Sequence, residues 1–322
     1  MSCFGFETSL RAYGLSCHFQ GTREKNGVDT SHFLFCVKTI MESRRLAVCA
    51  ILLCLSGLTA GQVSGPPRGT LIIAGGGRLP EKVVASFIDA AGGKEAPIVV
   101  IPTAGGLAQY GEEAGDFLRK AGATQVRVMH TYDKQVASSD TFVQVIQKAS
   151  GVWFSGGRQW RLVDAYGGTR SEEAFRSVLE KGGTIGGTSA GATIQGDYLI
   201  RGDTRNNTIL MGDHESGFAF LRQTIIDQHV LARNRAFDMF EVLAKKPGML
   251  GIGLDEGTAV RVTRDIFQVL GDSYVLVYDG KDWNRDTRQT ILRPPGCPGF
   301  YFLREGDQYD LAKREVLQSS RR

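Results

Sequence analysis

Gly187-Thr188-Ser189-Ala190-Gly191 follows the G-x-S-x-G pattern of a nucleophile elbow, inside a run of small residues at 186–192. A serine there can attack a carbonyl if it stands on a sharp strand-to-helix turn. Flanking glycines relieve the strained backbone and leave room for the incoming carbonyl. The local order fits that geometry: a helical run at 171–181, a Gly182-Gly183 stop, a strand start at Thr184-Ile185 and a helix opening near Ala190. The first N–H groups of a helix have no intrahelical acceptor and can face a developing oxyanion. The pentapeptide alone equally describes a glycine-rich turn whose serine only caps a helix.

An activated serine needs a general base and a group that holds the base. Beyond residue 61 the histidines are His130, His214 and His229. His130 follows a strand-like run, and His214 lies in the polar stretch Gly212-Asp213-His214-Glu215-Ser216. His229 closes Ile225-Ile226-Asp227-Gln228-His229, also at a strand end. A purely structural role is the ordinary reading of a lone strand-end histidine. Asp255 and Glu256 close the apolar stretch Gly251-Ile252-Gly253-Leu254 and offer two carboxylates for orienting the base. A surface ion pair is their plainer alternative.

These residues need a frame. Short apolar runs at 70–74, 98–101, 125–129 and 152–154 predict buried strands, and helical spacing predicts helices at 80–91, about 111–121 and about 140–148. Strands alternating with helices at this interval predict an α/β fold with a mostly parallel, doubly wound sheet flanked by helices. Beyond residue 251 the pattern changes, and 252–262 and 267–278 predict strands of a mixed or antiparallel C-terminal part. In open α/β sheets ligands gather beyond the carboxyl ends of strands, where Gly75-Gly76-Gly77, Gly105-Gly106, Gly156-Gly157 and Gly186-Gly187 all fall. Gly75 and Gly77 also make a G-x-G, but Pro80 stands where a dinucleotide loop needs its third glycine.

The chain of 322 residues has unequal ends. Residues 1–40 show neither apolar period and read as a non-native extension. Met41 opens a secretory signal, with Arg44 and Arg45 as the charged region, 46–58 as the apolar region and Thr59-Ala60-Gly61 as the cleavage zone. The apolar run is short for a membrane span, so export without a membrane anchor is the expectation. On this reading 41–61 is the signal peptide, 62–69 a linker, and 70–322 a single α/β domain. Of the six cysteines only Cys297 lies beyond the cleavage zone, which leaves no intramolecular disulfide and no paired-cysteine metal site. A net charge of +4, with no basic run and no aromatic platform, gives no reason to expect a nucleic-acid partner.

Several stretches converge on one family. Phe154-Ser155-Gly156-Gly157-x-Gln159, the Ser189 elbow, Asp227-Gln228-His229 and Gly251-Ile252-Gly253-Leu254-Asp255-Glu256-x-Thr258-Ala259 resemble, in order, the motifs of cyanophycinase-like serine peptidases of family S51. The resemblance covers roughly residues 69–278. It implies a class I glutamine amidotransferase-like fold, with Ser189 as nucleophile, His229 as base and Glu256 as orienting carboxylate, Asp255 being the weaker candidate. The resemblance also implies an oxyanion hole from Gly157 and Ala190 and a homodimer, and the sequence shows no metal-ligand cluster, so neither a metal nor a cofactor is expected. Gln159, Asp227, Gln228, Arg233 and Arg235 resemble the family's substrate-binding set. Arginines suit carboxylates, and Asp227 suits a guanidinium. A solvated helix face is the other reading of Arg233 and Arg235.

The implied substrate is a peptide bond beside an aspartyl residue, in β-Asp-Arg polymer or in Asp dipeptides. The chain departs from the family pattern at Arg158, where an acidic residue is common, and at Asp238, where an arginine is. Both reverse a charge beside the expected pocket. A small-substrate amidase or esterase, and a non-catalytic binding protein on the same fold, are the competing expectations.

Overall fold

The computed structural model describes residues 65–280, 284–285, 291–292 and 300–319. The proposed extension, the signal segment, the first residues of the linker and Cys297 lie outside them. The apolar runs form β1 (Thr70–Ala74), β2 (Ile98–Ile101), β3 (Val126–Val128) and β4 (Gly151–Phe154), and the strand start before the elbow becomes β5 (Thr184–Thr188). β1, β2 and β4 are buried along their whole length, as strands of a sheet covered on both faces must be.

The remaining strands are β6 (Thr224–Gln228), β7 (Leu250–Leu254), β8 (Thr258–Thr263), β9 (Ile266–Gly271) and β10 (Val275–Asp279), then β11 (Asn284–Arg285), β12 (Ile291–Leu292), β13 (Tyr301–Leu303), β14 (Gln308–Asp310) and β15 (Glu315–Gln318). Nine strands run β15-β14-β9-β8-β1-β5-β4-β2-β3, and four more form a second sheet, β13-β10-β7-β6. β1, β5, β4, β2 and β3 are mutually parallel, whereas β8, β9, β14 and β15 join antiparallel. In the second sheet β6 and β7 are parallel and β10 runs against β7.

Strand alternation divides the first sheet between two cores. Leu71, Ile73, Val99, Ile101, Val152 and Phe154 face the helices Asp140–Lys148 and Arg170–Glu180 through Phe142, Ile146, Phe175 and Val178. Ile72, Ile98, Val100 and Trp153 face the helix Glu81–Ala90 through Val83, Val84, Phe87 and Ile88. Each such buried side chain contributes about 1.5–3 kcal/mol relative to exposure. Ser139 caps the Asp140–Lys148 helix by accepting from the Phe142 N–H. The outer edge of β3 is covered by side chains: Arg119 donates to the Val126 carbonyl at 2.9 Å and Glu112 accepts from the Val128 N–H at 3.3 Å.

The structure corrects three sequence expectations. The single helix at 111–121 is a 3₁₀ turn, Glu112–Gly115, followed by a short helix, Asp116–Lys120. The strand expected at 252–262 is two strands in different sheets, β7 and β8. Gly257, at φ +66°, turns the chain from one sheet into the other; the polar break Asp255-Glu256-Gly257 marks a turn but not the change of sheet. The strand expected at 267–278 likewise divides into β9 and β10, at Gly271-Asp272-Ser273, where the Asp272 N–H donates to Gly257 O at 3.0 Å.

Candidate active site

The site lies where the carboxyl ends of β1, β4 and β5 meet those of β6 and β7. Gly75-Gly76-Gly77 follows β1, Ser155-Gly156-Gly157 follows β4, and Ser189 follows β5. His229 follows β6, and Asp255-Glu256 follows β7. Backbone bonds join the two sheets here. The His229 N–H donates to Gly75 O at 3.1 Å, the Gly257 N–H to Gly76 O at 3.0 Å and the Gly75 N–H to Thr258 O at 2.9 Å.

Ser189 sits at φ 55° and ψ −113°, a strained conformation for a residue with a side chain. Its N–H donates to Ala74 O at 3.0 Å, which anchors the turn to β1. The helix Ala190–Thr193 starts immediately after it. At Gly191 an added Cβ would lie 2.0 Å from Phe154 O, so only glycine lets the elbow pack against β4. Ser189 Oγ is 2.8 Å from His229 Nε2, and His229 Nδ1 is 2.5 Å from Glu256 Oε1. The His229 side chain is 6% exposed, whereas the Glu256 side chain is 41% exposed. A carboxylate on Nδ1 holds the ring proton there and leaves Nε2 to accept from the serine. Burial holds His229 below the usual histidine range, against the Glu256 hydrogen bond that raises it; the charges of Arg233 and Arg235 lower it further.

Asp255 has a different place. It accepts from the N–H groups of Leu231 and Ala232 at 3.0 and 2.9 Å and from the Ser273 hydroxyl at 2.7 Å. It therefore fastens the turn that follows His229. His130 bonds through Nδ1 to Thr103 Oγ1 at 2.9 Å and packs between Tyr110 and Tyr132. His214 lies between Asp213 and Asp164, at 2.9 Å from each. Of these three histidines, His229 is the one bonded to Ser189.

Gly157 and Ala190 border the serine from two sides. Ala190 is the first residue of its helix, and the neighbouring Gly156 is so close that an added Cβ would lie 3.3 Å from Ser189 Cβ. Gly157 adopts φ +142° with Ala104 O behind it.

The five expected substrate-binding residues separate. Arg233 is exposed. Gln159, 1% exposed, donates through its amide to Ile200 O at 2.8 Å. Gln228 is buried, with Oε1 accepting from Arg235 at 3.1 Å, and Arg235 is itself buried. Burial, and then the neighbouring Arg201 charge, hold Arg235 below the usual arginine range. Asp227 is engaged in a bidentate pair with Arg201, at 2.9 Å for each bond. Arg201 also reaches Asp238 at 2.6 Å. Of the two departures, Asp238 thus pairs within the chain, and Arg158 donates to Asp203 O at 2.6 Å.

Sequence reading missed Arg201. It follows the apolar pair Leu199-Ile200 and opens a polar stretch with Asp203 and Arg205, and its partners lie 26 and 37 residues away. Among those polar neighbours nothing local marks it as buried. The glycine triplet after β1 was legible as a ligand loop, but it accommodates the base instead. An added Cβ on Gly76 would lie 2.2 Å from His229 Cε1, and one on Gly77 would lie 2.7 Å from Glu256 Oε2.

The family model of peptidase family S51 matches residues 71–270. The chain belongs to peptidase family S51. It is a serine-type peptidase with the mixed α/β fold of that family. Among its relatives, the cyanophycinase of Geminocystis herdmanii is 29% identical over 66% of this chain and 82% of its own length. The cyanophycinase of Nostoc sp. is 28% identical over 75% of this chain and 84% of its own. A crystal structure of a peptidase from an acI-B1 Actinobacterium superposes with a TM-score of 0.56 at 22% identity, covering 76% of this chain and 98% of that one. At that identity the likeness concerns the fold alone.

Proposed function

We propose that this S51 peptidase hydrolyses the bond beside an aspartyl residue through Ser189, His229 and Glu256. The observation that carries this reading is the unbroken series Ser189 Oγ, His229 Nε2, His229 Nδ1, Glu256 Oε1 at 2.8 and 2.5 Å. His229 takes the serine proton as Oγ attacks the scissile carbonyl. The oxyanion of the tetrahedral intermediate turns toward the N–H groups of Ala190 and Gly157, each such donor contributing on the order of 3 kcal/mol. The same proton then passes from Nε2 to the departing amine, and an ester on Ser189 remains. Water, deprotonated by His229, attacks the ester, releases the acid and returns the proton to Ser189. Glu256 stays ionised throughout and stabilises the imidazolium that forms twice in each cycle.

An exposed Arg233 near the base supports a carboxylate-bearing substrate, since its charge already acts on His229. The relatives named cyanophycinase support β-linked aspartyl peptides as the first substrates to try. The chain from Met41 is proposed to be exported, on the strength of its signal-like segment. Hydrolysis of β-Asp and α-Asp dipeptides by the protein starting at residue 62, beside its Ser189→Ala variant, tests the catalytic reading. Cleavage that persists in the Ser189→Ala protein would refute it. N-terminal sequencing of protein recovered from outside the cell tests the export reading, and a mature start upstream of Met41 would refute that one.

A further inference from the structure

The carboxylate expected to receive a substrate guanidinium already holds one. Arg201 is 2% exposed and Asp227 1% exposed. The Arg201 Nε and Nη2 groups donate to the two oxygens of Asp227, both at 2.9 Å. Asp227 Oδ1 also accepts from the Gln228 N–H at 2.9 Å. The Arg201 Nη1 group donates to Asn207 O at 3.2 Å, so the guanidinium is engaged on every nitrogen. Asp238 is partly exposed, but it spends its charge on the same guanidinium at 2.6 Å.

We propose that Arg201 is a specificity-determining residue, acting as a built-in occupant of Asp227 so that the site binds an acidic residue without offering Asp227 to a neighbouring cation. This inference rests on the aspartyl-peptidase reading above and narrows its substrate class. The charge arrangement agrees. Apart from Glu256, which is held on His229, Arg201, Arg233 and Arg235 stand against Asp227 and Asp238, which leaves one positive charge in excess in that cluster. The exposed guanidinium among them, on Arg233, suits an incoming carboxylate. A cationic side chain beside the scissile bond would have to displace a buried bidentate pair, and breaking such a pair uncovers a charge that has no water to solvate it. Arg201 need not touch substrate. It acts through Asp227, by removing that side chain from the list of available acceptors.

The test compares β-Asp-Arg with β-Asp-citrulline, which match in shape and differ in charge. Calorimetric titration of the Ser189→Ala protein is expected to give dissociation constants for the two within about threefold of each other. Tighter binding of the arginine peptide by about tenfold or more overturns the proposal. So does failure of both to bind, because the acidic residue would then have no site. The Ser189→Ala protein carrying Asp238→Asn is expected to keep the ratio, and a shift of the ratio against arginine would show that Asp238 reads the cation. Adding Arg201→Gln instead frees Asp227 and is expected to move the ratio toward arginine by about tenfold. An unchanged ratio in a folded Arg201→Gln protein overturns the proposal, and if that variant does not fold, the ratio of the parent protein decides. Binding without turnover in the protein that retains Ser189 would refute the peptidase reading of these substrates and leave the assignment of Arg201 standing.

Discussion

Gly76 lies against the ring of His229 so closely that an added Cβ would stand 2.2 Å from Cε1, and the glycine holds φ +120°. Both features exclude a side chain. Gly76→Ala is therefore expected to push the imidazole off the line between Ser189 and Glu256 and to strain the turn after β1. Misplacement by an ångström can cost about a hundredfold in rate. The expected outcome is a fall in kcat of at least about that size, with the fold retained by circular dichroism. A folded Gly76→Ala protein with native kcat would show that the contact does not position the base.

Glu256 and Asp255 are neighbours with opposite roles, and substitution separates them. Removing Glu256 leaves His229 without the partner that holds its Nδ1 proton. Glu256→Ala is expected to lower kcat by on the order of 10⁴, as removal of an orienting acid does elsewhere, with little change in thermal stability. Asp255 anchors the Leu231 and Ala232 N–H groups and the Ser273 hydroxyl. Asp255→Ala is expected to cost about 1.5–3 kcal/mol of stability, because the hydrogen bonds accepted by its buried carboxylate are lost. Denaturant titration and steady-state kinetics on the two proteins check the pair. Equal loss of kcat at equal stability would refute this division of roles.

How much of this was legible in advance follows from the range of the interactions. β1, β2 and β4 are written in short apolar runs, because burial on both faces needs continuous apolar strands. The elbow is equally local: the glycines needed around Ser189 are its sequence neighbours. The breaks within 252–262 and 267–278 coincide with polar turns, Asp255-Glu256-Gly257 and Gly271-Asp272-Ser273, but a turn does not say that the strand after it joins a different sheet. Arg201 was hidden for a related reason. A buried cation is intelligible only beside its acceptors, and Asp227 and Asp238 approach it through tertiary folding.

The pH dependence of kcat/KM follows from the state of the base. His229 must be neutral to accept the serine proton. Burial holds it below its ordinary value of 6.5, and Arg233 and Arg235 add to that effect, while Glu256 opposes it. The acid limb is therefore expected on the acid side of an ordinary histidine's. Glu256→Gln removes the influence that raises His229, so the residual activity should show its limb shifted further to acid. Arg233→Gln should shift it the other way. Profiles that move in the reverse directions would refute this account of the base.

His214 carries the opposite sign. Both of its ring nitrogens face carboxylates at 2.9 Å, Asp213 on one side and Asp164 on the other, with the Trp160 ring beside them. A neutral imidazole has one N–H and can satisfy one of these acceptors, so the arrangement requires the charged form. Burial works against that charge, but the hydrogen bonds to Asp213 and Asp164 outweigh it and raise His214 above its ordinary value of 6.5. A group raised on folding contributes stability that is fully present below the unfolded value and is lost as pH rises through the folded value. The difference in melting temperature between the native protein and His214→Gln is therefore expected to be largest at pH values below about 6.5 and to shrink as pH rises past the raised value. Thermal scans of the two proteins across that range check it. A difference that grows toward alkaline pH would mean that His214 is held in its neutral form and that one of its two carboxylates is bound by something else.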